Sequence, residues 1–432
     1  MGEAVSRTPK VPGDRMTSSD RILLPEIGVM ALVVDHWSPQ WQVRHHVLSR
    51  LASYFQVVWV TPAREWRDVL RGAAARDEAS ASSSKGLAIY VPPGWLPIVY
   101  RPKRLGDYLS RLRLRAARRM LLRRGCKKVV LYLWRPDFAG ALHSIPHDLS
   151  CYHIDDEYTF SDVDLPLDDV EAKLIKDVDQ VFVHSPALLE KKGSINPRTA
   201  YAPNGVDFAA FSTLWPEPED LARIPHPRIG YAGFIKRTLD WPLLSLLTER
   251  HREWSFVFVG PKRAQSEVRE GVEKLSRRAN VYFLEAKPAR DLPAYPQHFD
   301  VCILPYQVND YTKYIFPVKL HEYLAGGRPT VGARMRTLED FADVVTLAST
   351  PDEWSSALAA ALEPEADAPE HRTARQAVAR QYDWDLLVAR IAKTMAARLG
   401  AELPEWPPES WGEPQSAPSQ RQEVARSFQA DR

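Results

Sequence analysis

The sequence predicts an α/β protein with two doubly wound parallel sheets, one in each half of the chain. Short β-branched segments alternate with longer helical patterns, which is typical of right-handed strand–helix–strand units in a parallel sheet. The strand pattern starts again after a proline-rich connection, and 432 residues suffice for two or three domains. We therefore expect two Rossmann-like domains that face each other across a cleft.

The first series of strands occupies the N-terminal half. Apolar or β-branched runs without long interruptions mark each strand, as expected where both faces of a sheet are covered. We predict strands at 29–34, 56–60, 87–91, 128–133, 150–154 and 180–184, with a helix at about 44–54.

The second series follows a turn-rich segment, PNGVD, and a proline-studded connection at 216–227. We predict its strands at 228–233, 255–260, 280–284, 301–305, 329–332 and 344–348. An amphipathic helical region at 372–399 closes the ordered part of the chain.

These patterns divide the chain into five predicted parts. The ends are polar or proline-rich and lack apolar periodicity, so we expect a disordered lead and a flexible tail. The parts are the lead (1–20), an N-terminal domain (21–205), a C-terminal domain (206–370), a helical region that packs back on the body (371–400) and the tail (401–432).

Composition excludes several classes of protein. Lys and Arg number 57 against 55 Asp and Glu, so no global basic charge favours nucleic acid. The three cysteines form no C-x-x-C pair, which excludes a disulfide framework and a cysteine zinc site and fits a reducing compartment. The longest apolar run, 28–34, is too short to span a bilayer, and the N-terminal residues resemble no signal peptide. We expect a cytoplasmic protein.

One segment, Arg101–Lys128, concentrates positive charge. It holds 12 Lys or Arg and one acidic residue, a net +11, which leaves −9 on the other residues. Apolar residues at helical spacing predict one apolar face: Leu105, Tyr108, Leu109, Leu112 and Ala116. A basic amphipathic helix fits an anionic membrane surface. The alternative is a solvated helix packed on its own domain; no recognition module supports nucleic acid.

The segment 311–330, YTKYIFPVKLHEYLAGGRPT, carries the clearest chemical pattern. Pro317 predicts the start of a helix, and Gly326 predicts its end. Free N–H groups at a helix start bind anions, and Lys319 lies in the first turn. Glu322, one turn further, can accept hydrogen bonds from two hydroxyls. Phosphate and a diol together describe a nucleotide diphosphate; the alternative is an ordinary amphipathic helix with a surface Lys and Glu.

The residues FPVKLHEYLAGGRPTV (316–331), which overlap this segment, resemble the S-P-x-K-x-x-E-Y-L-A-x-G-x-P-V-V signature of retaining GT-B glycosyltransferases of the family-4, or group 1, type. A teichuronic-acid-biosynthesis-type branch is the nearest likeness. Five further stretches are similar to the family in the same order: YHIDDEY (152–158), YAPNGVD (201–207), 229–233 followed by 240–241, FVFVGP (256–261) and 280–306. The resemblance covers about 28–395 and implies a GT-B fold, with the donor bound by the C-terminal domain.

The resemblance also implies a donor site. Glu322 matches the second acid of the family's E-x7-E motif, which holds the ribose, and Tyr314 replaces the first acid, which puts the donor sugar in doubt. Lys236 and Arg237 match basic residues that neutralise the diphosphate, although a solvated loop is the alternative. The remaining donor-binding candidates are Gly233, Ile315, Phe316, Pro317, Val318 and Lys319, with backbone N–H groups around 315–318 holding the diphosphate.

On the acceptor side, Trp37 and Trp41 replace the family's glycine-rich loop and offer aromatic faces for a sugar or a lipid headgroup. The other acceptor-side candidates are Arg44, His45, Asp156 and Glu157. The alternative for His45 is a capping or surface role. Acids at 155–157 imitate a metal-binding D-x-D motif, but the resemblance implies that neither a metal nor another cofactor is needed.

The predicted activity is transfer of a sugar, with retention, from a nucleotide-diphosphate sugar to a hydroxyl of a glycan or a lipid-linked acceptor. The enzyme is expected in the cytoplasm, with Arg101–Lys128 as a candidate contact to the inner face of the membrane. Two alternatives stay open: a nucleotide-sugar epimerase with the same fold, and a non-catalytic partner subunit.

Overall fold

The computed structural model describes residues 22–38, 41–70, 86–158 and 167–403. The predicted lead at 1–20 and all but three residues of the predicted tail lie outside these ranges.

The N-terminal sheet has seven parallel strands in the order β3-β2-β1-β4-β5-β6-β7. They are β1 (Ile27–Leu32), β2 (Gln56–Val60), β3 (Leu87–Tyr90), β4 (Lys128–Leu133), β5 (Leu149–Ile154), β6 (Gln180–Val183) and β7 (Thr199–Tyr201). Six were predicted. Strand β7 was missed because it has three residues, none of them buried, and therefore no apolar run.

The helices of this half lie between consecutive strands, and four of the five contribute buried side chains to the core. They are α1 (Val43–Leu51), α2 (Trp66–Leu70), α3 (Lys103–Arg123), α4 (Asp169–Asp177) and α5 (Pro186–Lys192). Apolar clusters lie on both faces of the sheet, which explains the continuous apolar strands. Trp59 and Trp134 are fully buried, and each removes on the order of 200 Å² from water, worth roughly 5 kcal/mol.

The C-terminal sheet has six parallel strands in the order β10-β9-β8-β11-β12-β13. They are β8 (Arg228–Ala232), β9 (Ser255–Val259), β10 (Val281–Leu284), β11 (Val301–Leu304), β12 (Thr330–Ala333) and β13 (Thr346–Ala348). This order is the Rossmann order, in which ligands bind where the strand order reverses, beyond the carboxyl ends of the central strands. Here those strands are β8 and β11.

Nine α-helices follow β7 in the described part of the chain. They are α6 (Phe208–Ser212), α7 (Glu219–Ala222), α8 (Trp241–Arg250), α9 (Ser266–Ser276), α10 (Val318–Ala325), α11 (Arg336–Glu339), α12 (Pro351–Leu362), α13 (Pro369–Arg380) and α14 (Trp384–Arg398). The predicted connection at 216–227 thus contains the short helix α7.

The last two helices belong to different halves of the molecule. Helix α13 packs on α10, and its Arg375 donates to the Gly327 carbonyl at 2.6 Å. Helix α14 packs its apolar face on α1 and on the N-terminal core. The chain therefore crosses between the domains twice, and the crossings are joined: Val206 N–H donates to Tyr382 O and Trp384 N–H donates to Val206 O, both at 2.9 Å.

Asp383 lies at this double crossing and caps α14 by accepting from Asp385 N–H at 2.7 Å. Its side chain is buried, and Asp385 lies nearby. Burial, followed by the charge of Asp385, raises the pKa of Asp383 to about 7, although Arg50 opposes this shift. The folded protein therefore binds a proton here at pH values where the unfolded chain does not.

This raised pKa predicts a pH-dependent effect of Asp383→Asn. A carboxyl group with a raised pKa favours folding at low pH, and the benefit is lost as pH rises from about 4 to about 7. Asparagine keeps a cap but carries no charge, so the variant should be more stable than wild type by roughly 4 kcal/mol at pH 8 and similar to it at pH 4. Calorimetric melting at both pH values measures this. Asp168→Asn, at the exposed cap of α4, is the control; an equal gain at both pH values would contradict the assignment.

The predicted apolar face of the basic helix is not the face that packs on the sheet. Helix α3 buries Leu114, Ala117 and Leu121, whereas Leu105 and Tyr108 are 44% and 56% exposed. At about 3.6 residues per turn, Tyr108 points away from Ala117 by about half a turn. No helix in the described ranges is long and apolar enough to cross a membrane.

Candidate functional site

The candidate site lies at the carboxyl ends of β8 and β11, where α10 begins. As predicted, Pro317 precedes the helix in an extended conformation, and Gly326 ends it. No side chain caps the first turn. Among the described residues, the N–H groups of Phe316, Val318 and Lys319 have no hydrogen-bond acceptor. A helix start with free donors favours an anion.

Two of the predicted backbone donors are not available. The Ile315 N–H donates to Thr312 O at 3.0 Å, and Pro317 has no N–H. The segment before α10 is held by its carbonyls: Ile315 O accepts from the Thr337 hydroxyl at 2.8 Å, and Phe316 O accepts from Asn204 Nδ2 at 2.7 Å. The donors are therefore presented on a fixed backbone.

Gly233 directly follows β8 and allows Lys319 to lie against the backbone there. Its φ of +134° is one that L side chains rarely adopt, and a Cβ there would lie 2.2 Å from Lys319 Cε. The Lys319 ammonium lies 5.2 Å from the centre of the Tyr231 ring. Any side chain at position 233 would displace this lysine.

Lys319 and Glu322 place opposite charges side by side in a buried setting. Within the described residues neither has a hydrogen-bonded or ion-paired partner, and Glu322 is 9% exposed. Burial raises the pKa of Glu322, and Lys319 opposes the shift. Burial also lowers the pKa of Lys319, and the charge of Lys236 lowers it further. Phosphate oxygens of a ligand would stabilise the charged Lys319, and hydroxyls of the same ligand would stabilise the ionised Glu322.

Lys236 lies in the loop after β8, between the two halves of the molecule. Burial lowers the pKa of Lys236, and the charge of Asp156 in the N-terminal domain opposes this shift without cancelling it. Lys236 is therefore close to both Lys319 and Asp156. Arg237 follows it, and the Arg237 carbonyl accepts from Gln307 Nε2 at 3.3 Å. The structure thus brings Lys236, one of the two predicted basic residues, close to the start of α10.

Asp156 also contacts Tyr311, which was not among the predicted site residues. The Tyr311 hydroxyl donates to Asp156 Oδ1 at 3.2 Å across the cleft. Burial, followed by the charge of Asp155, raises the pKa of Asp156, and Lys236 opposes the shift. Tyr311 stands six residues before Pro317, outside the recognisable motif, so only the folded chain reveals its role.

Tyr314 occupies the position where the resemblance expects an acid. Its side chain is 4% exposed and packs into an apolar cluster of the N-terminal domain. The ammonium groups of Lys191 and Lys313 each lie 5.1 Å from its ring centre. Tyr314 therefore joins the loop before α10 to the N-terminal domain.

On the acceptor side, Arg44 links the ends of two strands. It pairs with Asp35, which follows β1, and with Asp155 Oδ2 at 2.8 Å, after β5. Burial opposes its charge, but Asp155 and Asp35 together outweigh burial and raise its pKa. Trp37 and Trp41 are half-buried, with ring centres 6.1 Å apart, and keep surface for a ligand.

His45 does not lie where an acceptor could reach it. The side chain has no exposed surface, and its ring centre lies 5.0 Å from that of Trp37 and 4.7 Å from that of Trp59. Burial lowers the pKa of His45 to about 4, so the ring is neutral, and Gln42 N–H donates to its Nδ1 at 3.2 Å. This placement favours the alternative of a capping role for His45, in the interior and not at the surface.

Glu157 is likewise withdrawn from the cleft. It is 3% exposed and accepts from Lys192 Nζ at 3.1 Å, and the same ammonium lies 2.9 Å from Glu171. A buried carboxylate needs such partners to remain charged. The position of Glu157 is therefore explained by an ion network within the N-terminal domain.

The three consecutive acids at 155–157 do not converge on one point. Asp155 accepts from Arg44, Asp156 from Tyr311 and Glu157 from Lys192. In the parts of the chain that the structure describes, no group of three or more His, Cys, Asp or Glu side chains is arranged to hold a metal.

Comparison with known sequences supports the family resemblance. Residues 227–364 match the family model described as "Glycosyl transferases group 1". A curated Bacillus subtilis (strain 168) protein, TuaH, provisionally described as a teichuronic acid biosynthesis glycosyltransferase, is 27% identical over 196 residues. That alignment covers 44% of this chain and 49% of TuaH, about half the length of the relative.

Solved structures match over most of the chain. The structure of OtsA without ligand has a TM-score of 0.60 and 11% identity, and the match covers 88% of this chain and all of OtsA. A glycosyltransferase from Rickettsia africae has a TM-score of 0.62 and 10% identity, with coverage of 87% and 99%. These likenesses show the fold, so the predicted pair of Rossmann-like domains is confirmed as GT-B.

Proposed function

We propose, from the premise that residues 227–364 are those of a group 1 glycosyltransferase, that this protein transfers a sugar from a nucleotide-diphosphate sugar to a hydroxyl group. The observation that carries the proposal is the proximity of Lys319 and Glu322 at the uncapped start of α10, beside Gly233. A cation and free N–H groups suit a diphosphate, and a buried carboxylate suits a diol.

Each side chain of the donor site then has a distinct part. The N–H groups of Val318 and Lys319, with the Lys319 ammonium, bind diphosphate oxygens. Glu322 accepts hydrogen bonds from the ribose hydroxyls. Lys236 and Arg237 face the leaving diphosphate, where negative charge grows as the glycosidic bond breaks.

We also propose transfer with retention. The acceptor oxygen bonds to the anomeric carbon on the face that the diphosphate leaves, and the acceptor proton passes to an oxygen of the departing diphosphate. In this scheme the chain supplies no general base; its lysines stabilise the leaving group and orient it. Analysis of the product's anomeric configuration by NMR distinguishes retention from inversion.

The proposed reaction needs no metal, because Lys236, Lys319 and the start of α10 supply the positive charge that a divalent cation would supply. Loss of turnover on addition of EDTA, with recovery on addition of Mg²⁺, would contradict this part of the proposal.

The proposed acceptor is a glycan or a lipid-linked glycan, and Trp37, Trp41 and Asp156 are its candidate contacts. Half-buried indole faces suit a sugar ring, and Asp156 lies next to Lys236. A relative described for teichuronic acid biosynthesis supports a role in polysaccharide assembly. We place the enzyme in the cytoplasm, at an anionic membrane surface when its acceptor is lipid-linked, and propose no nucleic acid partner.

Thermal-shift screening against UDP, GDP and their sugars tests the central proposal. We expect one nucleotide to raise the melting temperature of the full chain, and product analysis with the stabilising sugar nucleotide to show transfer. Conversion of that sugar nucleotide to its isomer would instead indicate an epimerase. Stabilisation by no nucleotide would indicate a non-catalytic subunit.

A further inference from the structure

A surface of the N-terminal domain combines exposed apolar side chains with a row of arginines. It comprises α2, residues 93–100 and the outer face of α3, and we name it the basic-aromatic surface. Its apolar members and their exposures are Trp66 (40%), Leu70 (76%), Trp95 (73%), Tyr100 (66%), Leu105 (44%) and Tyr108 (56%). Side chains of this size normally lose most of their surface on folding, so their grouping at one place needs an explanation.

The aromatic side chains of residues 93–100 lie on a backbone segment that is hydrogen-bonded to neighbouring elements on both sides. Arg113 of α3 donates to the carbonyls of Leu96 and Pro97 at 3.1 and 2.6 Å. On the other side, Ile98 N–H donates to Arg64 O at 2.7 Å, and the Tyr100 hydroxyl donates to Glu65 at 3.2 Å. The exposed rings are therefore held by α3 and by the chain that enters α2.

The arginines form a row on α3 that also contains Tyr108. Exposed residues recur at spacings of four and three, which keeps them on one face of a helix: Arg104, Tyr108, Arg111, Arg115 and Arg119. None of the four arginines has a carboxylate within 4.0 Å among the residues that the structure describes. A different face of α3 packs on the sheet, so packing within the domain does not account for this row.

We propose that the basic-aromatic surface docks on an anionic lipid bilayer. Arginines facing the bilayer bind lipid phosphates, and indole and phenol rings favour the headgroup region, where one edge is apolar and the other wet. The inference deepens the proposed membrane association by naming the surface that makes the contact. It rests on the proposed function only for the reason why the enzyme would dock, which is that a lipid-linked acceptor would lie in the same bilayer. The acidic groups at this surface are few: Glu65, Asp68 and Asp107.

Vesicle co-sedimentation of the full chain tests the charges. Wild type should bind vesicles that contain phosphatidylglycerol, should bind phosphatidylcholine vesicles far less, and should be released by salt. Arg111→Gln/Arg115→Gln/Arg119→Gln should weaken partitioning by roughly 100-fold, since each basic residue contributes about fivefold. The control, Arg252→Gln/Lys274→Gln/Arg290→Gln, removes the same charge from exposed positions of the C-terminal half and should bind as wild type does.

A second variant, Trp95→Ser/Tyr100→Ser, tests the rings without changing charge. It should bind anionic vesicles more weakly than wild type, and circular dichroism should show an unchanged fold. Equal binding of wild type to both kinds of vesicle, or equal binding by the arginine triple variant and its control, would overturn the proposal. So would binding of duplex DNA together with no binding of either vesicle.

Nucleotide thermal shifts on the same samples separate this proposal from the proposed function. The arginine triple variant should keep the nucleotide shift of wild type, because its substitutions lie outside the donor site. Vesicle binding without any nucleotide shift would contradict the proposed function and leave the docking surface standing. A nucleotide shift without vesicle binding would contradict the docking surface and leave the proposed function standing.

Discussion

Replacing Glu322 with glutamine is expected to lower kcat/KM by about 100-fold and to remove most of the nucleotide-induced thermal shift. The carboxylate is 9% exposed and, among the described residues, has no hydrogen-bond donor in the free protein, so a diol would be its first partner. Glutamine preserves shape but accepts weaker hydrogen bonds, and it leaves the buried Lys319 without its neighbouring negative charge.

The matched control for this substitution is Glu339→Gln, at an exposed position of α11 in the same domain. It should leave both kcat/KM and the thermal shift within twofold of wild type. Steady-state kinetics and melting curves with the stabilising nucleotide measure both quantities. A Glu322→Gln variant that bound nucleotide as tightly as wild type would remove Glu322 from the donor site.

Replacing Lys236 with methionine is expected to lower kcat by 100- to 1000-fold, on the order of the loss when one charge-stabilising group is removed from an active site. Lys236 lies near both Lys319 and Asp156, which places its charge at the junction of the two halves. Because the diphosphate gains charge as it leaves, the loss should fall mainly on kcat and less on the nucleotide thermal shift.

The control is Lys274→Met, on the exposed surface of α9, which should leave kcat unchanged. The pH profile of kcat/KM gives a second readout. Lys319 must be protonated and Glu322 ionised to bind the donor; a lowered lysine pKa and a raised glutamate pKa bring the two limbs of the profile towards neutrality. Glu322→Gln should remove the acid limb. A flat profile in wild type, or normal kcat in Lys236→Met, would contradict these roles.

The donor helix was predictable because its signals are local. Pro317 fixes where α10 begins and Gly326 where it ends, and the intervening spacing places Lys319 and Glu322 one turn apart. Both sheets were predictable for a similar reason, since strands covered on both faces are continuous apolar runs.

The acceptor side was less predictable because its side chains are arranged by contacts far apart in sequence. His45 was expected at an acceptor, yet its ring is enclosed by Trp37 and Trp59. Glu157 was expected in the cleft, yet Lys192 holds it in the domain interior. A helical pattern shows which residues share a face, but only tertiary packing decides which of those faces is covered.

The double crossing has a consequence for the order in which the protein can assemble during synthesis. The N-terminal core includes Trp384, Leu387 and Val388 of α14, which are synthesised after every strand of both sheets. The N-terminal domain cannot complete its core until the whole C-terminal sheet has been made. Its apolar surface under α14 therefore stays uncovered until then, although all seven strands of this domain are made before the C-terminal sheet.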